Sequence, residues 1–154
     1  MSIIELKDRP DIATDVKSYK VYTHFTALLT ELKTRDLSPR IILFINESVT
    51  QINASSFTGT ELTKAVKKAQ TEILKQVEKE HKIVPKSHYR NLWMLLGFTA
   101  FGLPLGMAFG LSIGNIGLMA IGLPIGMAIG SVVGISLDKK ALSEGKQLNW
   151  ENKV

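Results

Sequence analysis

Gly102-Leu103-Pro104-Leu105-Gly106-Met107-Ala108 is followed twenty positions later by Gly122-Leu123-Pro124-Ile125-Gly126-Met127-Ala128, and this repeat decides the fold. Over positions 101–114, eight of fourteen residues are identical to those at 121–134. The glycines continue past the motif at strict four-residue spacing: Gly102, Gly106, Gly110 and Gly114 in the first copy, Gly122, Gly126, Gly130 and Gly134 in the second. On a helix that spacing aligns positions without side chains along one face, where a neighbouring backbone can approach closely. One G-x-x-x-G is a weak signal, whereas three overlapping in each of two copies predict close helix packing.

Outward from the repeat, positions 92–137 form 46 consecutive residues without Asp, Glu, Lys or Arg. A bilayer asks for about 20 apolar residues per helical span, so the run predicts an integral membrane protein. As a single helix it would reach about 69 Å, more than twice a hydrocarbon core of about 30 Å, and it must therefore fold back. Asn115, its only amide side chain, opens Asn115-Ile116-Gly117 at the centre. A turn there leaves spans at about 93–113 and 118–137. Open β-structure is excluded, because lipid satisfies no unpaired backbone group and two segments cannot close a barrel. The predicted fold is all-α: a cytoplasmic helical head at 1–86, a transmembrane glycine-zipper hairpin at 87–138 and a cytoplasmic tail at 139–154.

Pro104 and Pro124 fall near mid-membrane, and each removes a backbone donor, leaving the carbonyls of Ala100 and Ala120 without their usual partners. Two readings stay open. The prolines, with Asn115, form kinks lining a hydrated path, or they are simply tolerated within packed helices. The spans hold little else that is polar: Thr99, Ser112, Ser131 and Ser136. Small residues beside the stripes (Ala108, Ser112, Ala120, Ala128) offer a second neighbour, which predicts a homo-oligomer; pairing confined to one hairpin is the alternative.

The flanks orient the hairpin. Lys86 and Arg90 precede it, Lys139 and Lys140 follow it and the turn is uncharged, so both termini are expected on the cytoplasmic side. Tyr89 and Trp93 stand where interfacial aromatics anchor a helix, and residues 79–90 are basic enough to touch anionic headgroups of the lipid bilayer.

The head carries most of the +5 net charge, with 15 basic and 11 acidic residues over positions 1–91. Val21, Phe25, Leu28, Leu29 and Leu32 share one face of a helix expected over 14–34. Ser38-Pro39 signals a helix start, Ser as cap and Pro at the first position. The run Ile41-Ile42-Leu43-Phe44-Ile45 reads as helix or strand, and Val49 and Ile52 favour helix. Positions 53–59 have loop composition, and Thr58 with Glu61 has the form of a capping box that opens a third helix reaching about Lys82. There Leu62, Val66, Ala69, Ile73 and Gln76 or Val77 alternate by four and three, suiting an intramolecular bundle or a short coiled coil. Pro85 ends it.

No enzyme signature appears. There is no cysteine, hence no disulfide framework or thiolate chemistry. The chain has no phosphate-binding glycine loop, nucleophile elbow or H-E-x-x-H motif, and no cofactor is expected. His24, His81 and His88 are the only imidazoles and suggest no metal site. The lysines are interspersed with acids and lack stacking aromatics, so no nucleic-acid partner is expected. The acidic N-terminus lacks the basic and apolar regions of a signal peptide, so the head is not expected to be exported. Without a carboxylate the hairpin does not suit a proton-driven rotor of the ATP synthase c-subunit kind, which it otherwise resembles.

The stretch from Tyr89-Arg90-Asn91-Leu92-Trp93 through both G-L-P-[LI]-G-M-A repeats to Asp138-Lys139-Lys140-Ala141 and Glu144-Gly145-Lys146-Gln147-Leu148 resembles small bacterial glycine-zipper membrane proteins, over about 60 of 154 residues. The resemblance implies a bacterial inner-membrane hairpin and transfers no catalytic residue. Two functions are therefore expected in turn: a non-enzymatic membrane scaffold or regulator whose head recruits a cytoplasmic partner, or an oligomeric channel or permeabilising effector gated by the head.

Overall fold

The computed structural model describes residues 2–152; positions 1, 153 and 154, at the outer ends of the expected head and tail, lie outside them. The chain is mostly helical, and among the described residues the one departure from an all-α architecture is a small two-stranded sheet. It divides into two compact units: Met1–Val84 with Leu148–Trp150, and Pro85–Gln147 with Glu151–Val154.

In the first unit, α1 (Val16–Lys33) and α2 (Pro39–Ala54) both pack on α3 (Gly59–His81). The expected faces are the ones buried: Phe25, Leu28, Leu32, Ile45, Val49, Val66, Ile73 and Val77 are all fully enclosed. The ambiguous apolar run is helical, because Ile41, Ile45, Val49 and Ile52 return every three or four residues to the same face. Ser38 caps α2 as expected, its Oγ accepting the Ile41 N–H at 3.4 Å with Pro39 in the first turn. Asp15, rather than Thr14, starts α1: its Oδ1 accepts the N–H groups of Lys17 and Ser18 at 3.1 and 3.3 Å. The capping box does not form. Thr58 makes no side-chain cap bond, because Gly59 opens α3 in the left-handed region at φ +53° and turns the first helical turn out of its reach. That end is held from outside, with the buried Ser18 hydroxyl 2.9 Å from the Gly59 carbonyl oxygen and 3.1 Å from Thr63 Oγ1.

Residues 2–7 run along α2, tied by two amides seven positions apart. Asn46 accepts from the Ile4 N–H and donates to the Ser2 carbonyl; Asn53 accepts from Lys7 and donates to Glu5, all at 2.9–3.0 Å. Each side-chain amide thus stands in for a peptide group of a neighbouring strand. Arg9 then closes the C-terminal end of α2, donating to the carbonyls of Phe57 at 2.7 Å and Ile52 at 3.2 Å, and to that of Ser55. A cation is favoured where helix carbonyls are left without partners.

The strands are β1 (Val84–Lys86) and β2 (Gln147–Glu151). Leu148 and Trp150 on β2 are 1% and 6% exposed, so part of what reads as a tail completes the core of the first unit. The Trp150 indole N–H donates to the His24 carbonyl at 3.0 Å while its ring lies 4.3 Å from the His24 imidazole. The Asn149 N–H donates to Glu31 Oε1, 3.0 Å away. That bond, followed by one from Arg35, holds the Glu31 carboxyl below its ordinary value of 4.5. A carboxylate lowered by folding stabilises the folded state above its unfolded value and withdraws that contribution as pH falls through its folded value. Acidification below 4.5 is therefore expected to loosen β2. The protection of the Asn149 amide, its exchange rate relative to the intrinsic rate at each pH, reads this, and Glu31→Gln should remove the pH dependence of that protection; protection flat with pH in the wild type would refute the attachment.

Candidate functional site

The second unit is a helical hairpin whose first arm runs through α4 (His88–Leu96), a π-helical turn over Gly97–Gly102, and α5 (Leu103–Ile113). Its second arm is α6 (Met119–Ser143), reached through a 3-10 turn at Ile116–Leu118. His88–Ile113 and Ala120–Ser143 are each long and apolar enough to cross a membrane.

The arms meet glycine on glycine. A Cβ placed on Gly122 would come within 2.5 Å of the Gly102 carbonyl oxygen and the Gly106 Cα. One on Gly126 would lie 2.6 Å from Gly102 Cα and overlap the Gly97 carbonyl oxygen and the Gly102 nitrogen. One on Gly130 would sit 2.8 Å from the Trp93 carbonyl carbon, and one on Gly134 would sit 2.5 Å from the Tyr89 carbonyl oxygen. Every obstacle is backbone, which has no rotamer by which to step aside. Dispersion between closely apposed backbones thus takes the place that side-chain packing holds elsewhere.

Seven of the eight stripe glycines lie on this buried face. Gly114 does not: it ends α5 in the left-handed region at φ +68° with open space around it, which is the ordinary work of a glycine after a helix. Its place is taken by Gly97, which a search for four-residue spacing misses because it precedes Gly102 by five. The π-helical turn supplies the reason. The Leu103 N–H bonds the Phe98 carbonyl five residues back, and this wider turn brings Gly97 onto the same face as Gly102.

The same turn answers Pro104. A proline lacks the N–H that would bond four residues back and crowds that carbonyl, and a widened turn just before it relieves the clash. Its repeat partner Pro124 sits inside an unbroken α6. Both prolines are exposed on the outside of the hairpin. Asn115 shapes the turn, its Oδ1 accepting the Gly117 N–H at 3.0 Å. Lys86, Arg90, Lys139 and Lys140 are exposed at the open end, and Tyr89 and Trp93 are half-buried there. Trp93 also lends its backbone carbonyl to the packing against Gly130.

One residue that sequence reasoning passed over closes the open end. Ser87, at φ +60°, begins α4 without any side-chain cap, and Asp138 on α6 supplies it from across the hairpin. Its Oδ1 accepts the Tyr89 N–H and its Oδ2 the Arg90 N–H, both at 3.0 Å. A carboxylate here satisfies two free donors and meets the positive end of the helix dipole. No short-range pattern announces it, because acceptor and donors lie 48 and 49 positions apart. Asp138→Ala is expected to cost about 1–2 kcal/mol, in line with the loss of an N-cap. Faster amide exchange at Tyr89 and Arg90 would show it; unchanged exchange would mean water serves those amides equally well.

In the first unit a groove of about 800 Å³ is lined by Ile12, Tyr19, Tyr22, Glu31 and Trp150 among others. Burial raises the Tyr22 phenol, whose O–H donates to the Lys7 carbonyl at 2.8 Å. Among the described residues no three of His, Cys, Asp or Glu gather as metal ligands would. No protein-family model, curated protein or solved structure matches the chain.

Proposed function

We propose that the chain is a non-enzymatic membrane scaffold: the hairpin crosses a bilayer twice, and the helical head with its returning strand is a docking module on the cytoplasmic side. The single observation carrying this reading is the path of the chain, which leaves the first unit at Val84 and supplies Leu148–Trp150 to it again after the hairpin. A segment with both ends in one folded unit returns to its own side of the membrane. The basic flanks argue that this side is cytoplasmic.

Two further features support insertion. Only 22% of the apolar 18-residue stretch within each span is buried in the protein, whereas an apolar helix of a water-soluble fold would be mostly enclosed. Leu111, Ile113, Ile116 and Val132 are 64–79% exposed, a surface that suits hydrocarbon and not water. The helices are about 36–39 Å long at 1.5 Å per residue, enough for a core of about 30 Å.

The glycine stripes are spent inside the hairpin. Self-association of copies then falls to the outward-facing Ala108, Ser112, Ala120 and Ala128, all exposed. No path runs between the arms of one hairpin, and the exposed face that a pore between copies would use offers little polar surface beyond Thr99, Ser112, Asn115 and Ser136, which favours the scaffold over a channel.

The absence of cysteine makes the test direct. Single cysteines at Ser56, Asn115 and Glu144 are placed in sealed vesicles bearing the full chain. The first and third are expected to react with an impermeant thiol reagent from one side, and the second from the other. Labelling of all three from one side would overturn the two-span reading. Ion flux through vesicles whose labelling is correct would replace the scaffold with a channel.

A further inference from the structure

The open end of the hairpin carries a small basic pocket that the scaffold reading does not use. It has a volume of about 200 Å³, and its lining includes Lys86, Arg90, Ile135, Asp138, Lys139 and Leu142. Its one acid is already engaged: both Asp138 oxygens accept backbone N–H groups of α4. Arg90 and Lys139 are placed differently from Lys140, which lies 4.0 Å from Glu144, the residue that follows α6. Neither Arg90 nor Lys139 forms an ion pair among the described residues. Arg90 and Lys139 by themselves outnumber that one carboxylate, so the pocket keeps a net positive charge.

Its walls change character along the helix axis. Ile135, Lys139 and Leu142 follow one another at four and three on α6, so they share a face, and Ile135 and Leu142 are 41% and 62% exposed. A ligand resting on this face meets two cations flanked by bare hydrocarbon, one turn from Trp93, the aromatic at the start of the apolar span. The volume lies below the roughly 300–1,000 Å³ of pockets that enclose a whole small molecule. It suits a headgroup whose chains remain outside. Arg90 offers the planar fork that engages two phosphate oxygens at once, and Lys139 adds a point charge.

We infer that this pocket binds the phosphate of an anionic phospholipid, with Arg90 and Lys139 as ligands and the acyl chains lying along Ile135. The inference rests on the hairpin spanning a bilayer. The bound lipid holds the hairpin's open end at the interface, beside the Asp138 clasp.

The test compares spin-labelled phosphatidylglycerol with spin-labelled phosphatidylcholine in vesicles of phosphatidylcholine containing the full-length protein. The motionally restricted fraction of each gives the relative affinity. The wild type is expected to prefer the anionic lipid, and Arg90→Gln with Lys139→Gln to lose that preference by about fivefold for each charge removed, the worth of one cation near a charged surface. The clasp uses the Arg90 backbone and not its side chain, so the variant should keep its fold, checked by amide exchange at Tyr89. A control, Lys64→Gln with Lys67→Gln on α3, removes the same net charge elsewhere and is expected to keep the preference. An equal loss in the control, or no preference in the wild type, overturns the pocket. Loss of the preference when inorganic phosphate replaces chloride at equal ionic strength would make free phosphate the occupant and overturn the lipid. Failure of the membrane reading looks different, because the protein would then part from the vesicles on flotation in alkaline carbonate, and the pocket would fall with it.

Discussion

Gly126→Ala is expected to destabilise the hairpin by about 3 kcal/mol or more, at or beyond the upper end of ordinary overpacking. The added methyl would lie 2.6 Å from Gly102 Cα and against the Gly97 carbonyl oxygen. Neither atom can rotate away, so the arms must separate along much of their length, and contacts at Gly122 and Gly130 weaken together. Gly114→Ala is the comparison that isolates this cause. Its site is open and its cost is only the left-handed backbone at φ +68°, about 1–2 kcal/mol. Thermal unfolding of the full chain in detergent, followed by helicity and by proteolysis within the spans, should therefore rank Gly126→Ala far below Gly114→Ala. Equal and small shifts would show that the arms part at little cost and that the glycine contact does not hold them.

Trp150→Ala carries the second large effect, a loss of about 3–5 kcal/mol from the first unit. The indole is 6% exposed, lies against His24 and gives its N–H to the His24 carbonyl, so truncation removes both the packing and that hydrogen bond to α1. Leu148→Ala, at 1% exposure, should cost about 2–5 kcal/mol. Against a total stability of about 5–15 kcal/mol for an ordinary domain, either loss is severe. Amide exchange should quicken throughout α1 and remain unchanged at Gly102 and Gly106 in the hairpin. A chain cut at residue 86 is expected to show the same loosened α1, since it lacks β2 altogether. Exchange in α1 indifferent to Trp150 would mean that α1–α3 are self-sufficient and that the strand merely rests on them.

The two predictions bear on one property. The hairpin is held by backbone contact inside itself, and the first unit is completed by residues that follow the hairpin in the chain. A change that prevents the second arm from returning would therefore also deprive the first unit of Leu148 and Trp150. The order of synthesis points the same way, because α1–α3 are made long before the strand that completes their core.

By itself the sequence determined the helices and the faces they bury. Val66, Ile73 and Val77, like Ile45 and Val49, announce a core through spacing alone, because helical geometry turns a local period into a common face. It determined equally that two long apolar helices would be joined near Asn115, since 46 uncharged residues exceed any single span. Only the tertiary structure decided which partner each face meets. The stripes read alike whether they serve one hairpin or several copies, and the antiparallel register is what sets Gly126 against Gly97 and Gly102. Gly97 itself was hidden because the π-helical turn before Pro104 breaks the four-residue rule by one. Asp138 and Trp150 were hidden because their partners lie 48 to 126 positions away, and no local period encodes a contact made only when the chain comes back on itself.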